Sequence, residues 1–236
     1  MICISCKTDH NANFCPHCGE KSETKKITFK SITEDAFTTV TDMDKGFLYN
    51  CKQLFVNPKS MSVHYILGKR KGILNPISFL IISVTMYLIV ESILRIPTEN
   101  TGGQKSPEAD IMKVGFAAGR YIRIYFKYFW ILSIIPLAAS TQLIFRKYNF
   151  TEHLAINSFI LGQATLIGLV SYMIFKIDMP VNPLVYLLIL WLFYRIFMIE
   201  NDKIETFLMS FGALIIFIIQ LMIITTAIGV IAVMIA

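Results

Sequence analysis

Between Gly68 and Pro76 the chain stops being one that water can readily hold. The stretch Gly68-Lys69-Arg70-Lys71-Gly72-Ile73-Leu74-Asn75-Pro76 closes a polar head, and apolar runs then follow one another to Ala236. Each run approaches the roughly 20 residues that an α-helix needs to cross about 30 Å of hydrocarbon. Asn75 can accept from the first-turn amides of such a helix. Pro76 at the first helical position gives up an N–H that would have had no intrahelical partner. The cations Lys69, Arg70 and Lys71 then fall at the depth of lipid headgroups. This break predicts an all-α polytopic membrane protein, with a head at residues 1–21, a linker and short amphipathic juxtamembrane helices at 22–73, and a helical membrane domain at 74–236.

Composition supports that division: 55% of the 236 residues are hydrophobic, and the mean hydropathy is +0.58. The net charge of +6 is spread over both halves. Such a balance suits anionic headgroups, whereas nucleic acid would call for a denser basic face, so no nucleic-acid partner is expected. About five spans can be placed, at residues 76–94, 126–145, 151–175, 183–198 and 207–235. Pro136 should kink the second, because it lacks an N–H and its ring crowds the preceding turn. Asn182-Pro183 repeats the Asn-Pro helix start, and the fifth span is longer than one crossing requires. Ahead of the second span, Arg120, Arg123 and Lys127 recur at three and four residues among Tyr121, Tyr125, Tyr128 and Trp130. That pattern reads as an interfacial stripe, with cations at phosphates and amphipathic rings at headgroup depth.

The head carries a different chemistry. Cys3-Ile4-Ser5-Cys6 and Cys15-Pro16-His17-Cys18-Gly19 have the spacing of a short zinc ribbon, in which two tight turns each offer two thiolates to one ion. Redox pairing and another metal such as iron are the competing readings. Four thiolates close the coordination shell and leave no position for a reactive water, so the Zn²⁺ expected here is structural. With four thiols present, His10 and His17 read as solvated surface residues. Met1-Ile2-Cys3 opens directly into the cluster without an apolar leader, which places the head in a reducing cytoplasm. Lys and Arg near the span ends divide almost evenly between the two sides, so the thiols, not the charge rule, set the expected orientation: N-terminus in the cytoplasm, C-terminus outside an inner membrane.

Between head and membrane, Phe29 to Thr41 is a weak helix candidate and Gly46 to Phe55 a better one. In the latter, Phe47, Leu48, Cys51, Leu54 and Phe55 share a face opposite Asn50, Lys52 and Gln53. Cys51 belongs to that stripe and reads as a small buried hydrophobe. A third segment from Pro58 to Gly68 would place Met61, Tyr65 and Ile66 together. Helices this short need a surface to lie on, either the membrane or the bundle.

Within the spans, ionisable and amide side chains are costly and therefore informative. His153 and Asn157 lie four apart on one face that continues through Ala164 and Gly168, a face suited to packing on a neighbour. Glu152 sits where a carboxylate favours a helix N-terminus. Either Glu152 and His153 anchor the helix at the interface, or they form with Glu91 and Asn157 a polar intramembrane site. Gln142, Gln163 and Gln220 read as interhelical hydrogen-bond partners.

The ribbon, then Asp44-Lys45-Gly46-Phe47-Leu48, Pro58, Tyr65-Ile66-x-Gly68-Lys69-Arg70, Asn75-Pro76-x-Ser78-Phe79 and Phe150-Thr151-Glu152-His153-Leu154 resemble, in that order, bacterial membrane proteins grouped as domain of unknown function 3667. The resemblance implies an N-terminal ribbon and several spans, and attaches no activity. Ile156-Asn157 departs from its usual pattern. No nucleophile with an adjacent base, phosphate loop or intramembrane metal motif is visible. The leading expectation is a noncatalytic protein whose ribbon docks a protein partner while the bundle, in contact with membrane lipids, serves as scaffold. A small transporter or channel around His153 and Asn157, and an intramembrane enzyme using Glu91, Glu152 and His153, are the alternatives.

Overall fold

The computed structural model describes residues 2–20, 46–94, 119, 125–199 and 202–235. Among these the fold is all-helical, without a strand. Two short helices, α1 (Gly46–Val56) and α2 (Pro58–Ile66), precede α3 (Pro76–Leu94); α4 (Phe126–Leu132), α5 (Ile134–Ile144), α6 (Phe150–Phe175), α7 (Pro183–Ile196) and α8 (Lys203–Ile235) follow. The candidate helix at Phe29 to Thr41 lies outside the described residues.

Local chemistry sets the helix starts. Asn75 Oδ1 accepts from the Ile77 amide at 2.9 Å, and Asn182 Oδ1 from the Leu184 amide at 3.1 Å, each just ahead of a proline. At α6 the Asn149 side chain accepts from the Glu152 amide and the Glu152 carboxylate from the Asn149 amide, both at 2.8 Å, a reciprocal cap that satisfies two otherwise orphaned donors. The second apolar stretch is interrupted at Ser133, one turn before Pro136, where the missing N–H and the ring's demand on the preceding turn fall. Ser133 turns its hydroxyl onto the Trp130 carbonyl at 2.7 Å.

Three helices are long and apolar enough to cross a membrane: Pro76–Leu94, Phe150–Phe175 and Lys203–Ile231. Tyr128–Ile144 and Pro183–Ile196 are shorter apolar helices. Of the most apolar window in each long helix, 67% is buried in α6, 33% in α3 and 22% in α8, which makes α6 the axis of the bundle. Helices α3, α5 and α7 surround it, and α8 packs on α5 and α7. The closest approach is at Gly162, where a Cβ would fall 2.7 Å from Phe79 Cδ1. Gly168 meets Val185 and Met179 of the α7 side. Large apolar side chains such as Ile93, Leu187, Leu208 and Met222 point outward and are more than half exposed.

Helices α1 and α2 use their faces differently from what their periodicity predicts. Leu54 is buried, but Leu48 is 75% exposed and Phe55 44%, while Asn50 is fully buried. Asn50 brackets the backbone of Leu74, accepting from its amide at 3.2 Å and donating to its carbonyl at 3.3 Å. It thereby ties α1 to the start of α3. In α2, Met61 and Tyr65 are buried together, with Tyr65 edge-on to Phe159 of α6. Replacing Asn50 with alanine leaves both Leu74 groups without their partner and should cost about 2 kcal/mol. Thermal unfolding in detergent measures it; an unchanged transition would mean that the bracket carries no load.

Candidate functional site

The head is built from two copies of one turn, twelve residues apart. Cys3 O accepts from the Lys7 amide at 2.9 Å and Cys15 O from the Gly19 amide at 2.7 Å, while the Cys3 and Cys15 amides donate to Thr8 O and Glu20 O. Each turn leaves through a left-handed residue, Lys7 at φ 60° and Gly19 at φ 71°. Glycine accepts that geometry freely; Lys7 does not. Ser5 Oγ donates to Glu20 Oε2 at 2.8 Å and joins the two copies.

This arrangement gathers the four sulfurs. The Sγ atoms of Cys3, Cys6, Cys15 and Cys18 lie within 4.8 Å of one another, with Cys3 to Cys18 and Cys6 to Cys15 at 3.4 Å. A tetrahedral zinc with Zn–S bonds of about 2.3 Å separates its sulfurs by about 3.8 Å, so the spread fits one ion. The cysteines are free thiols, well beyond the roughly 2.05 Å of a disulfide. The Thr8 hydroxyl and backbone amide hold the Cys6 thiol down to about 5, while desolvation and the neighbouring sulfurs push that of Cys18 up to about 12. His10 bonds to the Ala12 carbonyl, and neither it nor His17 joins the sulfur cluster. Cys51 is half-buried in α1, where desolvation pushes its thiol up to about 11.

A ribbon this small cannot cover its own apolar residues. Ile2 is 72% exposed, Phe14 58% and Ile4 38%. It approaches the junction at Gly19, whose Cβ position lies 3.2 Å from Lys71 Nζ. Gly68 at φ 93° and Gly72 at φ 75° bracket the turn that carries Lys69, Arg70 and Lys71. The Arg70 guanidinium stacks 5.3 Å above the Tyr65 ring, and Lys71 is exposed. Arg120 and Arg123 lie outside the described residues; Lys127 falls within α4.

Residues 44–88 match the model of a family described as Protein of unknown function (DUF3667). In the fold, the matched segment comprises α1, α2, the glycine-bracketed turn and most of α3, the unit held together by Asn50 and seated on α6 through Tyr65 and Phe79. No curated protein and no solved structure matches the chain.

Inside the bundle, His153 and Asn157 meet through Thr141, a residue the sequence does not single out. His153 Nε2 lies 2.8 Å from the Phe145 carbonyl, which can only accept, so this nitrogen carries the proton and Nδ1 faces the Thr141 hydroxyl at 3.1 Å. Asn157 Nδ2 donates to Thr141 Oγ1 and to the His153 carbonyl, each at 2.7 Å, while its buried Oδ1 has no protein partner. Phe197 stacks on the imidazole with centroids 5.6 Å apart. The two glutamates do not join this cluster. Glu152 caps its own helix, and Glu91 lies one turn beyond Tyr87, whose ring packs on Tyr172 near the opposite end of α6. The intervening stretch of α6 puts Glu91 about 30 Å from Glu152. Gln163 bonds to the Cys51 carbonyl of α1 and Gln220 to Ser140 of α5, so both link separate helices. Gln142 lines a shallow cleft with Arg146 and Tyr148.

Proposed function

We propose that this chain is a noncatalytic multi-pass protein of a bacterial inner membrane, in which a cytoplasmic zinc ribbon docks a protein partner and the helical bundle is the scaffold. The observation that carries the reading is the four-sulfur cluster in a short segment that leaves three apolar side chains exposed. Four thiolates around Zn²⁺ leave no open position for chemistry, and zinc binding supplies the folding free energy that so short a segment lacks. What remains available to solvent is a surface, with Ile2, Ile4 and Phe14 as its anchors.

Membrane embedding is supported by the three long apolar helices and by the outward-facing apolar side chains, which together exceed what a water-soluble surface tolerates. The two shorter apolar helices, packed among the long ones, extend the count to five crossings. The His153–Thr141–Asn157 cluster acts as internal bracing between α5 and α6, since its donors are satisfied within the protein and aromatic rings cover it.

A photoreactive amino acid placed at Phe14 tests the docking role in intact cells. A discrete protein adduct should form, and Ile4→Asp should abolish it while the zinc content stays unchanged. Lipid adducts alone, or a protein adduct indifferent to Ile4→Asp, would contradict the docking surface.

A further inference from the structure

On the side of the bundle where the ribbon sits, α2 and the C-terminal end of α7 enclose a cleft of about 420 Å³. That volume lies within the roughly 300–1,000 Å³ of small-ligand sites. Lys59, Ser60 and His64 from α2 and Arg195 from α7 line it with polar groups, Asn57 and Met198 line it too, and Ser60 Oγ lies 3.5 Å from His64 Nδ1. Lys59 Nζ donates to the Met198 carbonyl at 2.9 Å, which fixes the ammonium in the wall and draws the two helices together. The Arg195 guanidinium lies 6.0 Å from the Trp191 ring. The N-terminus of α2 also opens here. Its Asn57 side chain makes no capping bond, so the positive end of the helix faces the cleft without a side-chain cap.

We propose that this cleft binds the phosphate of an anionic glycerophospholipid. Two cations from different helices, a hydroxyl, an imidazole and a helix N-terminus converge on a space that suits a tetrahedral anion. The same chemistry would accept a free phosphate, but the surroundings favour a lipid. Leu184, Leu187, Trp191 and Arg195 recur at three and four residues along α7, and the first three are 42%, 60% and 38% exposed. A phosphate held at Arg195 therefore has an apolar track directly below it for an acyl chain. The proposal rests on the reading of the bundle as membrane-embedded. If the purified protein stays dispersed without detergent, that reading fails before the lipid question is reached.

Trp191 supplies the probe, because Trp130 is fully buried against the bundle. The protein is reconstituted in phosphatidylcholine vesicles and titrated with brominated-acyl phosphatidylglycerol, whose bromines quench nearby indole emission. Saturable quenching is expected at a mole fraction at least tenfold lower than with brominated phosphatidylcholine. Lys59→Gln with Arg195→Gln should abolish that preference, whereas Lys147→Gln, an exposed cation on the same side outside the cleft, should keep it. Lys59→Arg with Arg195→Lys, which preserves charge, should retain saturable binding and guards against a variant that merely misfolds. Millimolar inorganic phosphate should leave the quenching in place. Equal quenching by the two lipids, equal loss in Lys147→Gln, or full displacement by inorganic phosphate would overturn the assignment.

Discussion

Gly162→Leu is expected to drive α3 off α6 and leave no folded monomer in detergent. A Cβ at this position already falls 2.7 and 2.8 Å from two atoms of the Phe79 ring and 3.3 Å from Leu80 Cα. Phe79 is fully buried, so the ring has little room to swing, and the Leu80 contact is backbone. Gly162→Ala alone should therefore cost about 1–3 kcal/mol through overpacking, and leucine should exceed the tolerance of the interface. Phe79→Leu in the Gly162→Ala background should recover part of the loss, since the two side chains compete for one space. Gly212→Ala is the control. Nothing lies within 4 Å of its Cβ position, and helix propensity favours alanine there by up to about 1 kcal/mol. Thermal unfolding with size-exclusion profiles reads the series. A stable Gly162→Leu monomer would show that α3 and α6 are not packed as described.

Cys15→Ser with Cys18→Ser should remove the metal and open the ribbon to protease while leaving the bundle intact. The loss is of the order of 10 kcal/mol of metal-linked folding free energy, concentrated in fewer than about twenty residues that have little else to hold them. The bundle's transition should move by less than about 0.5 kcal/mol, because its core is formed by α3 to α8 and draws nothing from the ribbon. Limited proteolysis together with the bundle's thermal transition distinguishes the two parts. A ribbon that stayed resistant after losing two thiols would show that something other than the ion orders it.

The features that could be read from the sequence are those whose cause is local. The two Cys-x-x-Cys turns, the Asn-Pro helix starts and the capping carboxylate of Glu152 each depend on neighbours within a few residues, and each appears at its place. Faces were harder. In a water-soluble helix the apolar stripe marks the inside, but where the outside is also apolar the stripe loses its meaning. On α1, Leu48 accordingly points outward and Asn50 inward, the reverse of the amphipathic assignment. Polar and small residues are the better guide to the interior, as Asn157, Gln163, Gly162 and Gly168 show. Thr141 carried no signal because its role depends on a partner helix twelve residues away. Glu91 and Glu152 were grouped by residue type alone, although the order of the spans already put Glu91 near the far end of the first and Glu152 at the head of the third, on opposite sides of alternating crossings.

The most direct test is elemental analysis of the purified, detergent-extracted protein with its thiols counted in parallel. One zinc per chain should be present, with Cys3, Cys6, Cys15 and Cys18 unreactive until a chelator strips the ion and Cys51 unaffected by it. A metal-free protein with those four sulfurs joined as disulfides, or one that needs no detergent to stay dispersed, would contradict a metal-ordered cap on a membrane-embedded bundle.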